Sequence, residues 1–228
     1  MSRTLMIAGV MLFAPVAIGT AIPATPREIL IEAAFTTQDK ATALAQIASA
    51  QAAAEATLAQ VPTDEEALMA RAMATSYRAK LNRNRTDALS AKTQFEALAA
   101  KNPRNAEAQA AIGSWHLEAI SALGGLMARG GLGARKQAGL DAINRAVALG
   151  GDRALFRGLA ALLRLSLDPR DPLGASLAEA AAHGATPTPL DGIMQRRAAQ
   201  MTEVVKGSDS RLIQALAKRM LPFGQFGN

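Results

Sequence analysis

Residues 124–136, GGLMARGGLGARK, hold five glycines and three basic side chains, the composition of a loop that could wrap a phosphate. A Walker-type loop needs G-x-x-x-x-G-K-[ST], so that backbone N–H groups and a lysine converge on the phosphates. Here Lys136 follows Arg135 rather than glycine, and Gln137 stands where a magnesium-binding hydroxyl is required. The dinucleotide pattern G-x-G-x-x-G fails as well, because Ala134-Arg135-Lys136 follow Gly131-Leu132-Gly133. Both motifs follow a strand, whereas a helix-forming segment precedes this one. What the stretch leaves open is an anion at the N-terminus of a helix starting near Ala134.

His116 and His183 are the two histidines. In "WHLE", His116 and Glu118 sit about 200° apart around a helix and cannot share a metal. No H-E-x-x-H occurs and there is no cysteine, so zinc chemistry and thiolate nucleophiles have no residues to use. His116 is expected in the core, and His183, just before Gly184, at a helix C-terminus where a cation suits the dipole. G-x-S-x-G and S-x-x-K are missing too, and the acids are scattered over polar faces. No catalytic residue, cofactor site or metal site is expected, and the chain reads as a non-enzyme.

The elements that carry these residues are helical. Half of the 228 residues are hydrophobic, much of that alanine, and only 4% are aromatic. Residues 1–21, with Arg3, an apolar run from Leu5 to Ile18 and Gly19-Thr20-Ala21, have the layout of a cleaved secretory signal. The run is shorter than the roughly 18 residues of a membrane span and contains Pro15. An exported, periplasmic protein with no stable membrane anchor after cleavage is expected. The net charge is +6, with seven Lys/Arg against Asp141 and Asp152 over residues 125–164. Solvated helix faces account for that run, and no nucleic-acid-binding motif or aromatic platform accompanies it.

Proline and glycine punctuate the chain at the rhythm of paired helices. Helices are expected from Pro26, over 37–60 with Thr37 or Asp39 as cap, and after Pro62 with Thr63 or Asp64 as cap, with further ones ending near Pro103 and Gly150. Asp152 is expected to cap the helix after it. Pro103-Arg-Asn-Ala-Glu-Ala echoes Pro62-Thr-Asp-Glu-Glu-Ala at a distance of 41 residues. A tail, 171–189, and two amphipathic helices complete the chain, the first with Leu190, Ile193, Met194, Met201, Val204 and Val205 on one stripe.

"GLDAINRAVALGGD" resembles the second-helix signature of tetratricopeptide repeats (TPR), through Gly139, Leu140, Ile143, Ala146, Val147, Leu149 and Gly151. "AKTQFEALAAKNP" is similar, through Ala91, Phe95 and Pro103. Ile112-Gly113 and His116 occupy the places of the first-helix L-G and ring. The resemblance covers about residues 40–183. The repeat distance is 41 residues rather than about 34. A weaker similarity, around "GSWHLEAI", is to the TPR-like group containing the regulators of microtubule dynamics and bacterial relatives.

The resemblance implies an all-α fold of antiparallel hairpins stacked as a short α-solenoid over residues 22–187, with residues 188–228 as C-terminal capping helices. It also implies a concave partner-binding groove lined by the first helices. Carried over, the groove residues are Glu66, Met69, Met73, Ser76 and Tyr77, then Glu107, Ala110, Ser114 and Leu117, then Leu155, Gly158, Leu162 and Leu165. The Lys/Asn carboxylate clamp of the family is missing. A small, methionine-containing groove suits an apolar peptide, a helix or a lipid-like ligand. Alternatively the chain's own helices from 188 to 221 fill it, because repeat arrays need a capping element. The expected function is protein binding or scaffolding, with a periplasmic binder of an apolar small molecule as the alternative. Gly124–Gly133 is expected as an enlarged contact loop, with Arg129, Arg135 and Lys136 offering a basic surface beside it.

Overall fold

A computed structural model describes residues 24–226, and these form eleven α-helices and a terminal 3-10 turn with no strand among them. The expected signal segment lies outside these described residues. α1 (Pro26–Phe35) opens with a capping box between Thr25 and Glu28. α2 (Lys40–Gln60), α3 (Glu65–Asn82), α4 (Arg85–Lys101) and α5 (Ala106–Leu123) start at Asp39, Asp64, Asn84 and Asn105. Each of these four side chains accepts the backbone N–H three residues on, a cap worth about 1 kcal/mol. Asp64 and Asn105 are the equivalent positions of the 41-residue echo, so the sequence repeat is a repeat of helix starts.

Three helices break the local rule. α6 (Gly125–Leu132), α7 (Lys136–Leu149) and α8 (Ala154–Leu167) have no side-chain cap of their own. Remote groups serve two of them. The Arg135 N–H donates to His116 Nδ1 at 3.3 Å, and the Leu155 N–H donates to Asp191 Oδ1 at 3.0 Å. Asp152 therefore does not cap α8: Arg153 holds the cap position and a carboxylate 36 residues away does the work. The expected 171–189 tail contains a further helix, α9 (Pro172–Ala182), capped by Asp171 and ending at His183 as expected. α10 (Pro189–Lys206) and α11 (Ser210–Met220) follow.

α2 to α5 pack as successive neighbours, α5 pairs with α7, and α8 pairs with α9. Alanines fully buried at 33, 34, 43, 50, 54, 72 and 74 let the first helices lie close together. α5 and α7 approach through glycine: a Cβ on Gly113 would stand 2.9 Å from the Ile143 backbone nitrogen, and one on Gly139 would stand 2.7 Å from Leu117. The largest core gathers around α8, where Leu117, Ile143, Phe156, Leu162, Leu163, Leu165, Met194 and Met201 are all at most 1% exposed. Full desolvation of side chains this size contributes about 1.5–3 kcal/mol each, which makes α8 the axis of the C-terminal half.

The chain's end returns to its beginning. α10 and α11 pack on α8, and the segment after α11 reaches α1. There the Phe223 N–H donates to the Ala34 carbonyl at 2.8 Å, and the Phe223 ring meets Tyr77 edge-on at 4.9 Å. Arg197 of α10 stacks 4.6 Å above Phe35 and donates to the Met220 carbonyl.

Candidate functional site

This return turns the groove into a chamber. A cavity of about 670 Å³ lies between α3, α5 and α8 on one side and α1, α10 and the returning segment on the other. Met69, Met73, Ser76 and Tyr77 line it from α3, Glu107, Ala110 and Ser114 from α5, and Leu155 from α8, as the sequence leads one to expect. Glu66 stands beside it, with Arg27, in a small recess next to Met69 and Tyr77.

Leu117, Gly158, Leu162 and Leu165 do not line it, and the groove assignment is corrected at these four positions. The α5 stripe that faces the cavity runs through Glu107, Ala110, Ser114 and Glu118. Leu117 lies one position off it, fully buried against Gly139 of α7. Gly158 presses against Met194 of α10, its missing Cβ only 3.1 Å from that side chain. Leu162 and Leu165 are 1% exposed in the core that α10 and α11 complete. The C-terminal helices thus fill the α8 portion of the groove and leave the α3–α5 portion open. Phe35, Phe156, Leu159, Leu190, Met194 and Phe223 also line the chamber. Of these, only Leu190 and Met194 carried a sequence signal, as members of the apolar stripe of α10.

The glycine stretch is likewise not a loop. Residues 125–132 form α6, bounded by Gly124 at φ 77°, ψ 155° and Gly133 at φ 70°, ψ 18°, conformations that favour glycine. Ala128 and Ala134 are buried against Trp115, whose indole N–H donates to the Ala88 carbonyl at 2.8 Å. Arg85 Nε donates to the Gly131 carbonyl at 2.7 Å, tying α6 to α4. One side of α6 borders the cavity through Met127, Gly131 and Leu132. Leu126 stands 90% exposed. Arg129, Arg135 and Lys136 are exposed outside the chamber. At the start of α7 the Arg135 N–H is taken by His116, so that amide is not available to an anion.

The two ends of the chamber differ in charge. At the N-termini of the inner helices, Arg27 bridges Glu66 at 2.5 Å and Glu107 at 2.8 Å, the same position of consecutive repeats. Arg153 continues the ladder, 3.9 Å from Glu107 and 2.9 Å from Asp191. The Glu66 and Glu107 partners hold the Arg27 guanidinium well above its ordinary pKa. At the other end, Lys80 is bonded to Glu118 and to the Pro222 carbonyl at 2.6 Å, and Arg83, Arg85 and Lys218 line the cavity beside it.

Burial raises the pKa of Tyr77, so its phenol stays protonated and is no base. His116 faces α7 rather than the cavity, and burial pushes its pKa down, with Lys92 adding to the effect. Among the described residues no three His, Asp or Glu side chains gather as metal ligands, and no helix is long and apolar enough to cross a membrane. No family model, curated protein or solved structure matches the chain.

Proposed function

We propose that this is an exported, TPR-like, non-enzymatic protein that binds an apolar small molecule in the chamber between its repeats and its C-terminal helices. The observation that carries the reading is the 670 Å³ cavity, walled largely by Met, Leu, Phe and Ala side chains. Its volume falls within the roughly 300–1,000 Å³ of small-molecule sites, which are mostly apolar with a few polar groups at fixed places. Methionine and leucine walls adapt to flexible aliphatic chains better than rigid ones do. A peptide or helix laid along the full groove would have to displace α10 and α11 from α8, which favours the small-molecule reading over a groove-borne protein partner.

Ser114 lines the cavity from α5, and Ser114→Trp takes up part of its volume. A fluorescent apolar dye should bind the wild-type protein and bind this variant several-fold more weakly, with the helical circular-dichroism signal unchanged. Equal dye binding by both proteins would sink the cavity reading. A protein-scaffolding reading keeps support from the end of α5 and from α6, where Leu123, Leu126 and Met127 are exposed close in sequence to Arg129, Arg135 and Lys136. Capture of a partner that depends on Leu126 and Met127 would favour it.

A further inference from the structure

Resting on that reading, we propose that the ligand is a single-chain anionic amphiphile, its tail in the chamber and its carboxylate or phosphate-monoester head between Arg83, Arg85 and Lys218. Five basic side chains line the cavity against two acids, an imbalance that is concentrated at one end. Arg27 is occupied by Glu66 and Glu107, and Lys80 by Glu118. Arg83, Arg85 and Lys218 make no ion pair among the described residues, although each borders a largely apolar space. Arg85 spends only its Nε, on the Gly131 carbonyl, which leaves both terminal guanidinium nitrogens for a fork-shaped contact with an oxyanion.

Arg83 sits at the left-handed C-cap of α3, φ 52° and ψ 37°, where glycine or asparagine is favoured. Local conformation therefore does not explain an arginine there, whereas a charge requirement at the cavity mouth does. The opposite end orients the ligand. Glu66, Glu107 and Asp191 outnumber Arg27 and Arg153 there, so an anionic head is disfavoured at that end and the apolar tail is not. Polar neutral ligands would gain nothing from either end.

Dodecanoate, dodecyl phosphate and dodecanol share one tail and differ in head group, so their competition with a bound apolar dye tests the inference. At low ionic strength at least one of the two anions should bind about tenfold tighter than the alcohol, a difference of about 1.4 kcal/mol. Raising salt to about 1 M, where the screening length shrinks to about 3 Å, should erase most of that preference. The double variant Arg83→Gln, Lys218→Gln should bring the anions to within about twofold of dodecanol while leaving dodecanol itself unchanged. Arg85 is kept because it also tethers α6. Which anion leads identifies the head group. Equal binding of all three by the wild-type protein overturns the head-group assignment and leaves the cavity reading standing. Displacement of dye by none of them overturns both.

Discussion

Asp191 keys α10 to the start of α8, and its removal measures what holds the C-terminal helices there. The side chain is 0% exposed. It accepts from Arg153 at 2.9 Å, from the Leu155 N–H at 3.0 Å, and from the hydroxyl and N–H of Thr188 at 2.6 and 3.2 Å. Asp191→Ala opens the capping box of α10, at about 1 kcal/mol. It also leaves the Leu155 N–H without a partner, at about 1–3 kcal/mol. Arg153 loses its close partner, but its side chain is 26% exposed and Glu107 lies 3.9 Å away, so rehydration recovers most of that loss. The expected destabilisation is therefore about 2–4 kcal/mol, a large part of the roughly 5–15 kcal/mol that holds a folded protein together. With a urea m-value of about 2.5 kcal/mol/M, the unfolding midpoint should fall by about 0.8–1.6 M. Burial raises the Asp191 pKa, but the hydrogen bonds from Arg153, Thr188 and Leu155 outweigh it and hold the carboxyl below the ordinary aspartate range. A depressed folded-state pKa contributes stability that is complete above about pH 4 and is lost as pH falls through the folded value. Asp191→Asn should weaken that acid sensitivity. A midpoint within 0.3 M (about 0.8 kcal/mol) of wild type for Asp191→Ala, with m unchanged, would refute the account of how α10 is docked.

Other measurements reach the rest of the molecule. Gly113→Ala puts a methyl 2.9 Å from backbone of α7, which cannot rotate away, so about 1–3 kcal/mol of stability and several degrees of melting temperature should be lost. Burial lowers the folded-state pKa of His116, and its Nδ1 must stay unprotonated to accept the Arg135 N–H. Its stabilising contribution is therefore complete above about pH 6.5 and is lost as pH falls through the folded value. Melting temperatures between pH 7 and 5 should show this slope, and His116→Phe, which has no titrating ring, should flatten it; an unchanged slope would assign the titration elsewhere.

How much was legible depends on how far each determinant acts along the chain. Asp39, Asp64, Asn105 and Thr188 bond amides three residues on, and Pro26, Pro172 and Pro189 stand in the first turns they start, so these helix starts are written locally. The placing of Met69, Met73, Tyr77, Ala110 and Ser114 on a groove comes from the tetratricopeptide resemblance, and these five line the cavity. Leu117 stands just beyond the edge of the cavity-facing arc of α5, on the side that packs against Gly139 of α7, and the spacing alone does not say where that arc ends. α6 was missed because five glycines in thirteen residues are poor helix formers alone. Burial of Ala128 and Ala134 under Trp115 makes that helix worthwhile, and Trp115 gives no local hint of it.

The sequence by itself determined an all-helical chain, most of its helix starts, the 41-residue equivalence of α3 and α5, and a stretch of glycines that meets no phosphate-loop pattern. Only the tertiary structure decided that a groove becomes a chamber. That outcome rests on Phe223 reaching Ala34 and Tyr77, Arg197 reaching Phe35, and Asp191 reaching Arg153 and Leu155. Apolar stripes and caps say that a residue must be buried or bonded. Which distant surface satisfies it is settled by the packing of the whole chain, and no local pattern records that choice.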